Sequence, residues 1–341
     1  MRLLTALGLS AMLFAGAALA QAPASGPVAP PSNAVVGLMH AIHATNNVEK
    51  TLQFYTDVFG LTTKVAPFTN PGVPLLTNSP GVTLRVAMMR IPGQAFNFEL
   101  TEFSNTERHA AQPGIADPGA PKMTFIVRDL GAVVAAATRA GAPMITRGGQ
   151  PVTVKIQNGT MTGIVFRDPD GYIVQAVQAQ NPPADAPAGN VVGAIMGESV
   201  STMDAAMKFW HDIMGVDVTG DQTFRKDQPM LDLLGLPPGA QVRVLRGVIP
   251  GSTARIEFME IKGVTKKPFS LRVPDPGASG MAIRVAKIEE LLPQLKAKGV
   301  RVLSKDGALV HWSDTVRNVF VKDSDGLNLE LVGDLSAPTT R

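Results

Sequence analysis

The sequence of 341 residues contains no cysteine. Disulfides, thiolate metal sites and a cysteine nucleophile are thereby excluded, and a cysteine-linked lipoprotein anchor is not expected. Aromatic residues are scarce, at 5%. Lysine and arginine form no block and do not interleave with aromatics. The net charge of +3 therefore does not describe a nucleic-acid surface. Beyond the first twenty residues no apolar run approaches membrane-spanning length. What remains is a chain long enough for about two domains with sizeable cores.

Residues 1–20, MRLLTALGLSAMLFAGAALA, combine a charged start at Arg2, an apolar stretch and the small-x-small ending Ala18-Leu19-Ala20. This is the pattern of a cleaved export signal, with cleavage expected near Ala20-Gln21 and no stable membrane anchor afterwards. The mature chain is expected to be secreted or periplasmic. Residues 21–34 are rich in proline and alanine and are expected to form an extended tether.

The rest is organised around VGLMHAIHATNNVEKTLQFYTDVFG, residues 36–60. A short apolar run of strand character leads to Asn46 or Asn47, either of which can cap a helix. Val48, Leu52, Tyr55 and Phe59 then make one helical stripe, and Gly60 ends it. The unit returns 155 positions later, with Ser201 or Thr202 as cap, Met203, Met207, Trp210 and Met214 as stripe, and Gly215 as stop. Strand candidates follow each copy. In residues 95–103, Phe96, Phe98 and Leu100 alternate with Asn97, Glu99 and Thr101, as in a strand with one face on a core. Asp129 opens a second helix pattern, and Asp168-Pro169-Asp170-Gly171 is a tight turn before a last strand. Asp323-Ser324-Asp325-Gly326 repeats that turn, and Pro293 interrupts the corresponding second helix. The repeat predicts an α+β protein of four strand-helix-strand-strand-strand modules. We place one domain at 35–180, a proline-rich linker at 181–190, a second domain at 191–335 and a tail at 336–341.

HAIHATNNVEKTLQFYTDVFGL, NFELTEF and DPDGYIVQ, with MDAAMKFWHDIMGV, RIEFMEI and DSDGLNLEL in the second half, resemble the vicinal oxygen chelate superfamily. That superfamily includes glyoxalase I, extradiol dioxygenases and bleomycin- or fosfomycin-resistance proteins. The resemblance implies two glyoxalase-like domains of curled sheet around clefts that often hold a divalent metal. Its ligand positions fall on His40, Glu99, Lys122 and Gln175 in the first half, and on Ile195, Glu257, Gly280 and Glu330 in the second. Neither half alone supplies a full set. In glyoxalase-type relatives the cleft is shared, and pairing that way joins His40, Glu99 and Glu330, with Gly280 silent. The other shared cleft would hold Ile195, Glu257, Lys122 and Gln175, unsuited to a metal but able to take an anion.

The resemblance thus implies a divalent metal on His40, Glu99 and Glu330, with Glu99 or Glu330 as general base. The activity implied is that of a lyase or isomerase on a small oxygenated compound. Lys122, Arg243 and His311 are further candidates for contacts to a small-molecule ligand. His43 is expected on the opposite side of its strand from His40, in a structural hydrogen bond. An extradiol dioxygenase is disfavoured, because a second histidine ligand is missing. The alternative is a non-catalytic protein that binds or sequesters a small molecule. The other reading of the glutamates is a plain ion pair with Arg243 or Arg85.

Overall fold

The computed structural model describes residues 34–156, 159–182, 184 and 186–335. The expected signal, nearly all of the tether and the expected tail lie outside the described residues. Among the described residues no helix is long and apolar enough to cross a membrane.

Four modules follow one another. The first is β1 (Val35–Thr45), α1 (Val48–Phe59), β2 (Val65–Phe68), the one-turn helix α2 (Val73–Leu76), β3 (Thr83–Arg90) and β4 (Asn97–Ser104). The second is β5 (Pro121–Val127), α3 (Leu130–Arg139), β6 (Val152–Ile156), β7 (Gly159–Arg167) and β8 (Ile173–Gln178). The third is β9 (Val191–Val200), α4 (Met203–Trp210), β10 (Asp217–Thr219), α5 (Gln228–Leu233), β11 (Gln241–Val248) and β12 (Arg255–Lys262). The fourth is β13 (Ser279–Val285), α6 (Ile288–Ala297), β14 (Val310–His311), β15 (Val316–Lys322) and β16 (Asn328–Asp334).

Local chemistry explains the helix ends. The Asn47 side chain accepts from the Lys50 N–H, and Gly60 takes a left-handed φ of 71° that closes α1. Thr202 and Asp129 cap α4 and α3 in the same way. Pro293 sits inside α6 without ending it. Residue Met144 makes a single bridge to Phe166, and β6 pairs with β7 at the edge of the sheet. The helices α2 and α5 left no periodic signal, because four and six residues are too few to show a stripe.

The modules combine across the two halves of the chain. One eight-stranded sheet runs β14-β15-β16-β13-β1-β4-β3-β2, from the fourth and first modules. The other runs β10-β11-β12-β9-β5-β8-β7-β6, from the third and second. At the centre of the first sheet, β1 pairs antiparallel with β13 and parallel with β4, while β13 pairs parallel with β16. The second sheet repeats this with β9, β5, β12 and β8.

The main core takes one face of each sheet together with α1, α3, α4 and α6, and includes Phe54, Phe98, Phe125, Phe209, Phe258 and Leu291. The opposite face of each sheet carries its own smaller cluster. Val73 and Leu76 of α2 meet Ile42, Ala282 and Phe320 on the first sheet. Met230, Leu231 and Leu233 of α5 meet Val165, Val242 and Met259 on the second. These two inner faces are the clefts.

Candidate functional site: two clefts of opposite character

In the first cleft, Glu99 lies between Phe98 and Leu100, and Glu330 between Leu329 and Leu331. All four apolar neighbours enter the main core, so the period of two turns both carboxylates to the cleft. His40 needs a further device. Leu38 pairs with Ile283 and His40 with Ala282, so Met39 is an extra residue in β1. This bulge shifts the phase of the strand. Leu38 faces the main core, whereas His40 joins Ile42 and Ala282 on the cleft side. His40 Nε2 lies 3.2 Å from Glu99 Oε2. Thr101 Oγ1 donates to Glu99 Oε1 at 2.5 Å, and Asn318 Nδ2 donates to Glu330 Oε1 at 2.7 Å.

Burial, then the charge of Glu99, pushes the Glu330 carboxyl up to about 8. Asn318 opposes the shift and does not overcome it. Among the described residues neither carboxylate has a lysine or arginine within ion-pair distance; Glu99 has only His40. An imidazole and two carboxylates are donor types that suit a divalent metal ion, although among the described residues only His43, Asp168 and Asp170 already bring three such ligand atoms within 4.8 Å of one another, so Glu330 would have to close on His40 and Glu99 to hold the ion. Gly280 contributes nothing, and for a reason: a Cβ there would fall 2.5 Å from the Asn328 carbonyl oxygen.

The second cleft has the same architecture and different chemistry. Ile195 stands where the first has His40, and Gln175 where it has Glu330. Lys122 takes the place of Gly280, and its Nζ donates to Glu257 Oε1 at 2.6 Å and to Gln175 Oε1 at 3.0 Å. Arg246 donates to Glu257 Oε2 through Nε at 2.9 Å and Nη2 at 2.6 Å. Burial works against the charge on Glu257, but Lys122 and Arg246 outweigh it and hold the carboxyl at about 2. The ammonium therefore occupies the place a cation would take, and the set does not suit a metal. A cavity of about 730 Å³ opens above it.

A swap at the middle of the row makes this geometry possible. In register, Glu99 neighbours Ile42, which neighbours Gly280. Glu257 neighbours Gly197, which neighbours Lys122. A Cβ on Gly197 would lie 3.0 Å from the Glu257 carbonyl oxygen and 3.5 Å from Lys122 Cε. The lysine stem crosses Gly197 to reach Glu257. Sequence reasoning singled out Lys122 and missed both Gly197 and Arg246. The arginine had a legible signal, lying across from Glu257 at the cleft-facing phase of β11.

The remaining candidates fall elsewhere. Arg243 does not reach a cleft ligand position: it ion-pairs with Glu260 at 2.5 Å and stacks over Phe224, its centre 4.7 Å from the ring centroid. Arg85 pairs with Glu49 and Glu102, not with Glu99. His311 is exposed on the short edge strand β14. The other reading of the glutamates, an ion pair with Arg243 or Arg85, is thereby corrected, since each arginine is committed to another carboxylate.

His43, Asp168 and Asp170 place one ligand atom each within 4.8 Å of one another, close enough to hold a cation. Their facing atoms are already bonded to one another and to the fold, and of the three side chains His43 alone has a buried atom, Nδ1, without a hydrogen-bond partner. His43 Nε2 meets Asp168 Oδ2 at 2.8 Å, and Tyr55 donates to the same oxygen at 3.1 Å. Asp168 Oδ1 accepts from the Asp170 and Tyr172 N–H groups, and Asp170 accepts from Asn46 N and Thr51 Oγ1. Burial would lower the His43 pKa, but Asp168 and Asp170 outweigh it and the net shift is upward. The equivalent place in the other half holds Glu198, with Trp210 Nε1 donating to Glu198 at 3.1 Å and to Asp323 at 3.3 Å. Both clusters pin a turn to its helix and strand.

The sequence profile of the Glyoxalase/Bleomycin resistance protein/Dioxygenase superfamily matches residues 37–176 and 198–331. No curated protein sequence matches the chain. Among solved structures, glyoxalase I from Zea mays is similar at a TM-score of 0.52 and 18% identity, over 87% of this chain and 92% of that one. A candidate dioxygenase from Bacillus subtilis subsp. subtilis str. 168 is similar at 0.55 and 14%, over 89% and 86%. At these identities the structures speak for the fold alone. The profile covers both halves of the chain, which therefore belongs to the glyoxalase, bleomycin-resistance and dioxygenase superfamily.

Proposed function

We propose that the protein is an exported, metal-dependent lyase or isomerase acting on a small oxygenated compound in the first cleft. One observation carries this reading. A buried glutamate, Glu330, feels the charge of a second carboxylate, Glu99, which lies beside the imidazole of His40, and among the described residues no lysine or arginine is within ion-pair distance of either carboxylate. His40, Glu99 and Glu330 would hold the divalent ion, whose contribution is Lewis-acid polarisation of substrate oxygens. The chain's own residues supply orientation and proton movement. Thr101 fixes one oxygen of Glu99 and Asn318 fixes Oε1 of Glu330. Without the ion the Glu330 carboxyl is pushed up to about 8; a bound cation would lower it and leave a carboxylate able to take a proton from substrate. Export rests on the pattern of residues 1–20 alone, and the mass of the mature amino terminus in fractionated cells tests it.

The deciding experiment is metal content of protein purified without chelator, beside a His40→Ala, Glu330→Ala double variant. About one equivalent of divalent metal, absent from the variant, is expected. No metal as isolated and none on titration would sink the reading.

A further inference from the structure

A cavity of about 730 Å³ lies in the second cleft, and its floor carries a net positive charge. Lys122 and Arg246 share one carboxylate, Glu257, which is saturated by them. Donors remain. Lys122 Nζ has three N–H bonds and spends two, on Glu257 and Gln175. Arg246 uses Nε and Nη2 on Glu257, leaving Nη1. Gln175 accepts from Lys122 and Thr124 through Oε1, leaving its Nε2 as a donor. Above this floor the walls are aliphatic and thioether, including Met161, Val177, Ile195, Met230, Leu234 and Met259. Asp217, Asp221, Arg225 and Arg255 also line the cavity; all are exposed except Arg225, which pairs with Asp227.

We infer that this second cleft is a metal-independent binding site for an organic monocarboxylate with an apolar body. Lys122, Arg246 and Gln175 receive the carboxylate, and the methionine-lined walls take the hydrocarbon. Three cavity-lining side chains with unspent donors and one excess positive charge favour a single anionic group over a neutral one. The cavity of about 730 Å³ falls within the size of small-molecule sites, and methionine adapts to bodies of varied shape. Gly197 is what keeps the ammonium at the floor, since the lysine stem lies across it. The site is independent of the chemistry proposed for the first cleft.

Calorimetric titration with decanoate, in the presence of EDTA, tests the inference on the full mature chain. Saturable binding at one equivalent is expected, with decanamide at least about tenfold weaker. Arg246→Gln removes a half-exposed donor whose loss the fold can absorb, and should weaken decanoate at least about tenfold while leaving decanamide unchanged. His40→Ala alters only the first cleft and should leave decanoate binding as it was. Equal binding of acid and amide, an unchanged Arg246→Gln, or a need for divalent metal would each overturn the inference. So would loss of binding in His40→Ala, which would put the ligand in the other cleft.

Discussion

Two clefts built on one plan differ in the side chains around one shared glutamate position. One gathers His40, Glu99 and Glu330 and lacks a cation; the other gathers Lys122, Glu257 and Arg246 and carries its own. A glutamate sits at the same register position in both. In each cleft the neighbours of a buried glutamate, Glu330 in one and Glu257 in the other, set the local electrostatics. Beside a second carboxylate, burial drives Glu330 up to about 8; between a lysine and an arginine, a carboxylate equally removed from water falls to about 2. Burial opposes charge in both places, and the sign of the neighbour decides the outcome. A repeated fold thus fixes where chemistry is placed and leaves its kind to single substitutions.

The comparison can be broken most forcefully at Lys122. Lys122→Met should cost about 3 kcal/mol, because Glu257 keeps only Arg246 in a buried site. Adding Glu257→Gln should restore most of it in denaturant unfolding; a neutral single variant would show that the pair is not a structural unit. Next is the first cleft, where Glu330→Gln should weaken divalent-metal affinity by about 100-fold or more in titration while stability in chelator holds or rises. Gly197→Val would force a branched side chain between Glu257 and Lys122, and we expect a loss of about 2 kcal/mol with impaired decanoate binding.

A pH test separates the clefts further. In metal-free protein the folded state keeps the Glu330 proton after the unfolded chain has released it. Stability should therefore be greatest below pH 4.5 as far as this group goes, and be lost as pH rises through about 8. The slope should reach at most about 1.4 kcal/mol per pH unit and vanish in Glu330→Gln. Glu257 acts in the opposite sense: its contribution is present above 4.5 and lost as pH falls towards about 2. The smallest effect is expected at Arg85→Ala. That exposed pair with Glu49 should be worth under about 1 kcal/mol, with metal affinity unchanged.

Periodicity alone turned Glu99 and Glu330 away from the core, because their neighbours in both directions are large and apolar. The internal repeat gave four modules and the register of the turns. The sequence by itself therefore determined the fold class and the set of positions where a site can form. Its reach ended at non-local geometry. The bulge at Met39, which turns His40 to the cleft, depends on how β1 registers against β13, strands some 240 positions apart. The bonds of Arg246 and Lys122 to one carboxylate arise only when β5, β9, β11 and β12 lie side by side. Arg243 and Arg246 are indistinguishable in composition, yet one reaches Glu260 and the other Glu257. Side-chain type and spacing are local and survive in the linear chain. Which charges meet, and whether a cation is already among them, is a property of strands brought together from opposite halves, and only the tertiary structure decided it.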